Sequence, residues 1–133
     1  MASGTFGTAI NCMDGRVQEP VTAWVRQHFS VQYVDMITEA GADGILARGE
    51  SPLVHGIQHR VLISVNGHGS RVIAVVGHED CAGNPVTNEQ HRVDVMSAMR
   101  MAASWHLPVQ IVGLFIDASG NVEVVGQMEP SAS

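Results

Sequence analysis

Short apolar, β-branched runs alternate along the chain with segments whose apolar residues recur every three or four positions, the pattern of a strand-then-helix series. A first strand over Thr5 to Asn11 delivers Cys12 at its C-terminal end. Pro20 opens a helix in which Val21, Trp24, Val25 and His28 share the face toward a sheet, ending near Ser30. Val31 to Ile37 reads as the second strand. Gly41-Ala42-Asp43-Gly44 and Arg48-Gly49-Glu50 predict a glycine-punctuated loop, after which Ser51 is placed as an N-cap and Pro52 at the first helical position. Leu53, Ile57 and Val61 mark the buried stripe of that second helix, and Asn66-Gly67, with Gly69 just beyond, stops it.

Arg71 to Gly77 is a continuous β-branched and apolar run, which predicts a central parallel strand covered on both faces. A third helix over Glu89 to Ser104 carries Val93, Met96 and Arg100 on successive turns. Val109 to Ile116 is the next strand. Asp117 to Asn121 turns the chain into a last short strand, Val122 to Val125, antiparallel at an edge, and Glu129 to Ser133 reads as a frayed tail. The series predicts one α/β domain over residues 1–133, in three layers. Its sheet is mostly parallel, four strands in the order 2-1-3-4 plus a short antiparallel edge strand, with helices on both faces. In that order strands 1 and 3 flank the topological switch point, where ligands bind beyond the strand ends.

Both cysteines of the chain leave strands at that point. Cys12-Met13-Asp14-Gly15-Arg16 follows strand 1 and His78-Glu79-Asp80-Cys81 follows strand 3. Two thiolates, an imidazole and a carboxylate make a complete ligand set for Zn²⁺. Cys12, His78 and Cys81 supply three ligands. The fourth position is either water, giving an open catalytic site, or the carboxylate of Asp14, giving a closed one. Arg16 bears on the choice, because a guanidinium fork holds a carboxylate bidentately and draws it off the metal. With the position open, zinc lowers the pKa of bound water from 15.7 toward about 7, and Asp14 can orient the resulting nucleophile.

Composition narrows the alternatives. A chain of 133 residues buries enough surface to fold without disulfides, so the cysteines are free for chemistry. The net charge of −6, with arginine as the only non-histidine base, argues against a nucleic-acid groove or an anionic membrane surface. Absence of lysine removes Schiff-base catalysis and a Walker-type phosphate loop. Met1-Ala2-Ser3-Gly4-Thr5 carries neither a basic leader nor a signal-length apolar stretch, which predicts a cytoplasmic protein.

The paired motifs resemble those of the β-class carbonic anhydrases, Cys-x-Asp-x-Arg near the start and His-x-x-Cys after a later strand. Glu39-Ala40-Gly41 resembles that family's Asn-Ala-Gly turn, and Ile111 to Asp117 with Gly120 resembles its late strand and turn. The likeness covers nearly the whole chain and marks it as a short, divergent member. It implies a zinc lyase interconverting CO₂ and bicarbonate, a homodimer or dimer of dimers with the site near the subunit interface. On that reading Cys12, His78 and Cys81 hold zinc and Asp14 with Arg16 orients and gates. Thr38 and Glu39 replace the usual Arg-Asn, adding a carboxylate to one wall, and Ala82 stands where the family has Gly, with Gly83 one place later. The same zinc centre could hydrate CS₂ or COS, or serve in a catalytically inert structural subunit with Asp14 on the metal.

Other histidines and methionines receive plainer readings. His55 and His59 lie four apart on a helix but lack a neighbouring carboxylate or cysteine, which favours a solvated or interface face. His68 and His91 could shuttle protons, yet read as ordinary loop and helix residues. Met96, Met99 and Met101 are core filling or dimer contact. Gly67-His68-Gly69 follows a helix instead of a strand, which excludes a dinucleotide loop.

Overall fold

The computed structural model describes residues 4–130, so Met1 to Ser3 of the Met1–Thr5 start and the last three residues of the tail lie outside it. Five strands, β1 (Phe6–Asn11), β2 (Tyr33–Thr38), β3 (Val72–His78), β4 (Gln110–Ile116) and β5 (Val122–Met128), form one sheet in the order β2-β1-β3-β4-β5. The first four are parallel and β5 is an antiparallel edge, the predicted topology. Four helices join them: α1 (Gln18–Phe29), α2 (Ala42–Arg48), α3 (Leu53–Leu62) and α4 (Asn88–Ala103).

Strand alternation sorts the core into two layers. Ala9, Ala74, Val76, Val112 and Leu114 face α1, whose Val21 and Val25 are fully buried. Ile10, Ile73, Val75 and Ile111 face the other way, against α2, α3 and α4. β3 is buried along its whole length, which explains why it reads as an unbroken apolar run.

Several local expectations are corrected. The predicted loop at 41–50 contains α2: Gly41 (φ +68) and Gly49 (φ +66) are the left-handed residues that begin and end this helix, so the glycines punctuate it instead of preventing it. α1 starts at Gln18 after a short 3₁₀ turn at Gly15–Val17, and Pro20 lies within the first turn, where its missing N–H costs nothing. Trp24 packs partly buried against the α1 side of the sheet, as expected, whereas His28 is exposed and stacks on the Trp24 ring, centroids 3.9 Å apart. Pro52, not Ser51, is the N-cap of α3. Its buried stripe runs through Val54, Ile57 and Val61, with Leu53 41% exposed. α4 is capped by the Thr87 hydroxyl and buries His91, Val95, Ala98, Met99 and Ala102, leaving Val93 exposed. β5 extends three residues past the expected Val125.

Candidate metal centre

The chain leaves β1 through a loop tied down almost atom by atom. Buried Asn11 accepts the Cys12 N–H at 2.9 Å and donates to the Val17 carbonyl at 3.2 Å. The Gln18 amide donates to the carbonyls of Cys12 (2.8 Å) and Asp14 (2.7 Å). With its backbone groups so engaged, this short loop has little freedom to move Cys12.

The loop after β3 is pressed against the turn after β2 by two glycines. A Cβ on Gly83 would lie 2.5 Å from the Ala40 carbonyl carbon, and one on Gly41 would lie 2.5 Å from that of Gly83. This backbone-on-backbone contact places the Gly41 N–H 3.5 Å from the Cys12 sulfur, which accepts its hydrogen bond. It also accounts for the order Ala82-Gly83: Ala82 is exposed, and Gly83 is the position that must lack a side chain. Gly83→Ala is therefore expected to destabilise the fold by about 2–3 kcal/mol, read as a fall in the urea midpoint.

The three side chains expected from the two motifs converge. Among the described residues, Cys12, His78 and Cys81 form the one group of three or more metal-ligating side chains, their ligand atoms all within 4.8 Å of one another and all buried. The sulfurs are 3.8 Å apart, the separation of two thiolates bound tetrahedrally to one ion at about 2.3 Å. His78 donates Nδ1–H to the Glu79 carbonyl at 2.8 Å, which leaves Nε2 as the metal-facing nitrogen. That Nε2 is buried with no hydrogen-bond partner, a costly state that a metal bond relieves. The donors thus fit a metal ion on geometry and on chemistry.

Asp14 lies outside this group. Its Oδ1 accepts from Arg16 Nε at 3.0 Å and from the Arg16 backbone N–H at 2.9 Å, and its Oδ2 accepts from a terminal Arg16 nitrogen at 2.7 Å. The side-chain hydrogen bond to Arg16, reinforced by the backbone one, holds the Asp14 carboxyl well below the usual carboxylate range. Asp14 is ionised at neutral pH and can only accept hydrogen bonds.

Residues 2–126 match the profile of a family described as "Putative carbonic anhydrase". The chain belongs to this carbonic-anhydrase family. Its fold is shared by a tetrameric β-carbonic anhydrase from the filamentous ascomycete Sordaria macrospora, 14% identical, with a TM-score of 0.64 over 96% of this chain and 84% of that one. A carbonic anhydrase from Glaciozyma antarctica, also 14% identical, aligns with a TM-score of 0.55 over 90% of this chain and 81% of that one. Identity this low speaks to the fold. Among curated protein sequences none matches the chain.

Other expected features of this carbonic-anhydrase family member find different places. Glu39 adds no carboxylate to the metal group; it pairs with Arg60 of α3 at 2.6 Å. His55 and His59 are exposed on α3, and Met99 is fully buried in the core with Met96 and Met101 packed around it. The Asp117 turn is built by its own carboxylate, which accepts the N–H groups of Ser119 and Asn121, each at 2.9 Å. The Asn121 N–H leads the contacts that lower the Asp117 pKa. Glu79 ties this turn to the second cluster by accepting the Ala118 N–H at 2.8 Å.

Sequence reasoning missed a buried polar layer behind the centre. Asp43, 2% exposed, accepts from His91 Nδ1 at 2.7 Å and from Asn84 at 3.1 Å, and Asn84 also donates to Asp94 at 2.9 Å. This network fastens the loop after Cys81 to α2 and α4. Gly77 makes room for it, since a Cβ there would stand 2.6 Å from the Asp43 carboxylate. The His91 ring lies 6.5 Å from that of His78 and nearly parallel to it, so His91 is no ordinary helix residue.

Proposed function

We propose that the protein is a zinc-dependent carbonic anhydrase, a lyase that reversibly hydrates CO₂ to bicarbonate. The observation that carries this reading is the meeting of two thiols and an unpartnered imidazole nitrogen beside a carboxylate that an arginine holds aside. Cys12, His78 and Cys81 would hold one Zn²⁺ per chain, because thiolate and imidazole donors in a four-coordinate set suit that ion. A zinc ion with three protein ligands and an open fourth position supplies Lewis acidity, which makes a water oxygen nucleophilic near neutral pH.

The protein's own groups do the rest. Two thiolates and a neutral imidazole balance a divalent charge, and the Gly41 N–H spreads part of the Cys12 charge into the backbone. Asp14, ionised and fixed by Arg16, accepts the hydrogen bond of a reacting O–H and so turns an oxygen lone pair toward the CO₂ carbon. Arg16 sets the direction of that carboxylate and keeps it from occupying the position the water needs. Val17, Val76 and Ile116 pack in the same apolar cluster as the two cysteines, surroundings that suit apolar, linear CO₂.

We read the protein as acting in the cytoplasm as a homodimer or dimer of dimers. Met13, next to the ligand Cys12, is 65% exposed and offers a partner an apolar contact beside the site. Among the described residues no helix is long and apolar enough to cross a membrane. Stopped-flow CO₂ hydration from about pH 7 to about pH 9, on protein of measured metal content, tests the proposal. The expected result is turnover proportional to bound zinc. Stoichiometric zinc without turnover at any pH would contradict it, and parallel assays with COS and CS₂ would identify the substrate if CO₂ is not it.

A further inference from the structure

Arg16 is shared between the two clusters. The terminal nitrogen that binds Asp14 also donates to the Asp80 carbonyl at 3.0 Å, and the other terminal nitrogen donates to the Asp80 carboxylate at 3.3 Å. Four donations to Asp14 and Asp80 therefore leave one of the five guanidinium N–H groups free of them. Asp80 lies between His78 and Cys81, where metal binding asks for no carboxylate. Its side chain is 81% exposed, and its backbone stands at φ +60, the left-handed region that aspartate and asparagine tolerate best after glycine.

We propose that Asp80 is a positioning residue for the Asp14–Arg16 pair. The Arg16 backbone belongs to the first cluster and its head is moored on the second, so the guanidinium cannot swing without leaving Asp80. Fixing that head fixes the plane in which it holds Asp14 away from the metal. An ion pair this exposed contributes little to stability, so its loss shows in the geometry of the centre and not in the melting temperature. The inference rests on the reading above, in which Asp14 works while off the metal.

Cobalt-substituted protein supplies the test, because its visible spectrum reports the ligand set independently of turnover. Asp80→Gly removes the carboxylate and suits the left-handed backbone; Asp80→Asn keeps the shape and removes the charge. Both are expected to bind one equivalent of Co²⁺ and to keep the wild-type melting temperature. Their cobalt spectra should move toward that of Arg16→Ala, in which Asp14 is released. In the zinc forms kcat should fall about tenfold with KM little changed, the size expected for a displaced orienting group. In an Asp14→Asn background neither Asp80 substitution should alter the spectrum further. A wild-type spectrum and kcat in Asp80→Gly would overturn the proposal, as would a spectral change that persists without Asp14. Should the wild-type protein bind cobalt and zinc but hydrate no CO₂, the function proposed above fails while the spectra still decide the role of Asp80.

Discussion

Asp14→Asn is expected to keep a full equivalent of zinc and to lose at least about 10²-fold in CO₂ hydration, the contribution typical of a positioned acid–base group. Asparagine preserves the size of the side chain and can still take one hydrogen bond from Arg16, so the loop should stay folded. It surrenders the negative charge and one acceptor oxygen, and its amide group donates where the carboxylate only accepts. The metal should remain because the three ligands gather without Asp14. Steady-state rates and metal content on the same preparation check this. Turnover unchanged in the variant would remove the Asp14–Arg16 pair from the mechanism, and loss of zinc would make Asp14 a ligand.

His78→Ala is expected to lose metal affinity by more than about 100-fold, the upper end of what outer-shell substitutions alone cost. Its consequence for stability is separable from its consequence for activity. A metal that binds only the folded chain at 100 times its Kd adds about 2.7 kcal/mol, which for a domain of this size is on the order of 10 °C in melting temperature. Chelation should therefore lower the wild-type melting temperature by several degrees and leave that of His78→Ala where it was. A chelator-insensitive wild type would show that the cluster holds no tightly bound ion.

Much of the architecture is legible in the residues, for identifiable reasons. β3 announces itself because a strand covered on both faces is dominated by apolar residues, and the two ligand clusters follow the neighbouring parallel strands β1 and β3, so topology alone brings Cys12 and His78 to the same crevice. What escaped reading depends on partners remote in sequence. α2 is hidden by glycines whose purpose, caps at Gly41 and Gly49 and closeness to Asn84 at Gly44, appears only when the neighbouring loop is in place. The faces of α3 and α4 were misjudged by one position or more because Leu53 and Val93 are apolar yet exposed, while His91 is polar yet fully buried beside Asp43. Asp80 lies between the two ligands of the second cluster without being one itself, and only its contacts with Arg16, 64 residues away, draw attention to it.

The central claim is that Cys12, His78 and Cys81 bind one ion together. X-ray absorption at the zinc edge on the purified protein tests it most directly. The account predicts two sulfur scatterers at about 2.3 Å, with the remaining ligands nitrogen or oxygen at about 2.0–2.1 Å. A shell of nitrogen and oxygen alone, or a single sulfur, would contradict it.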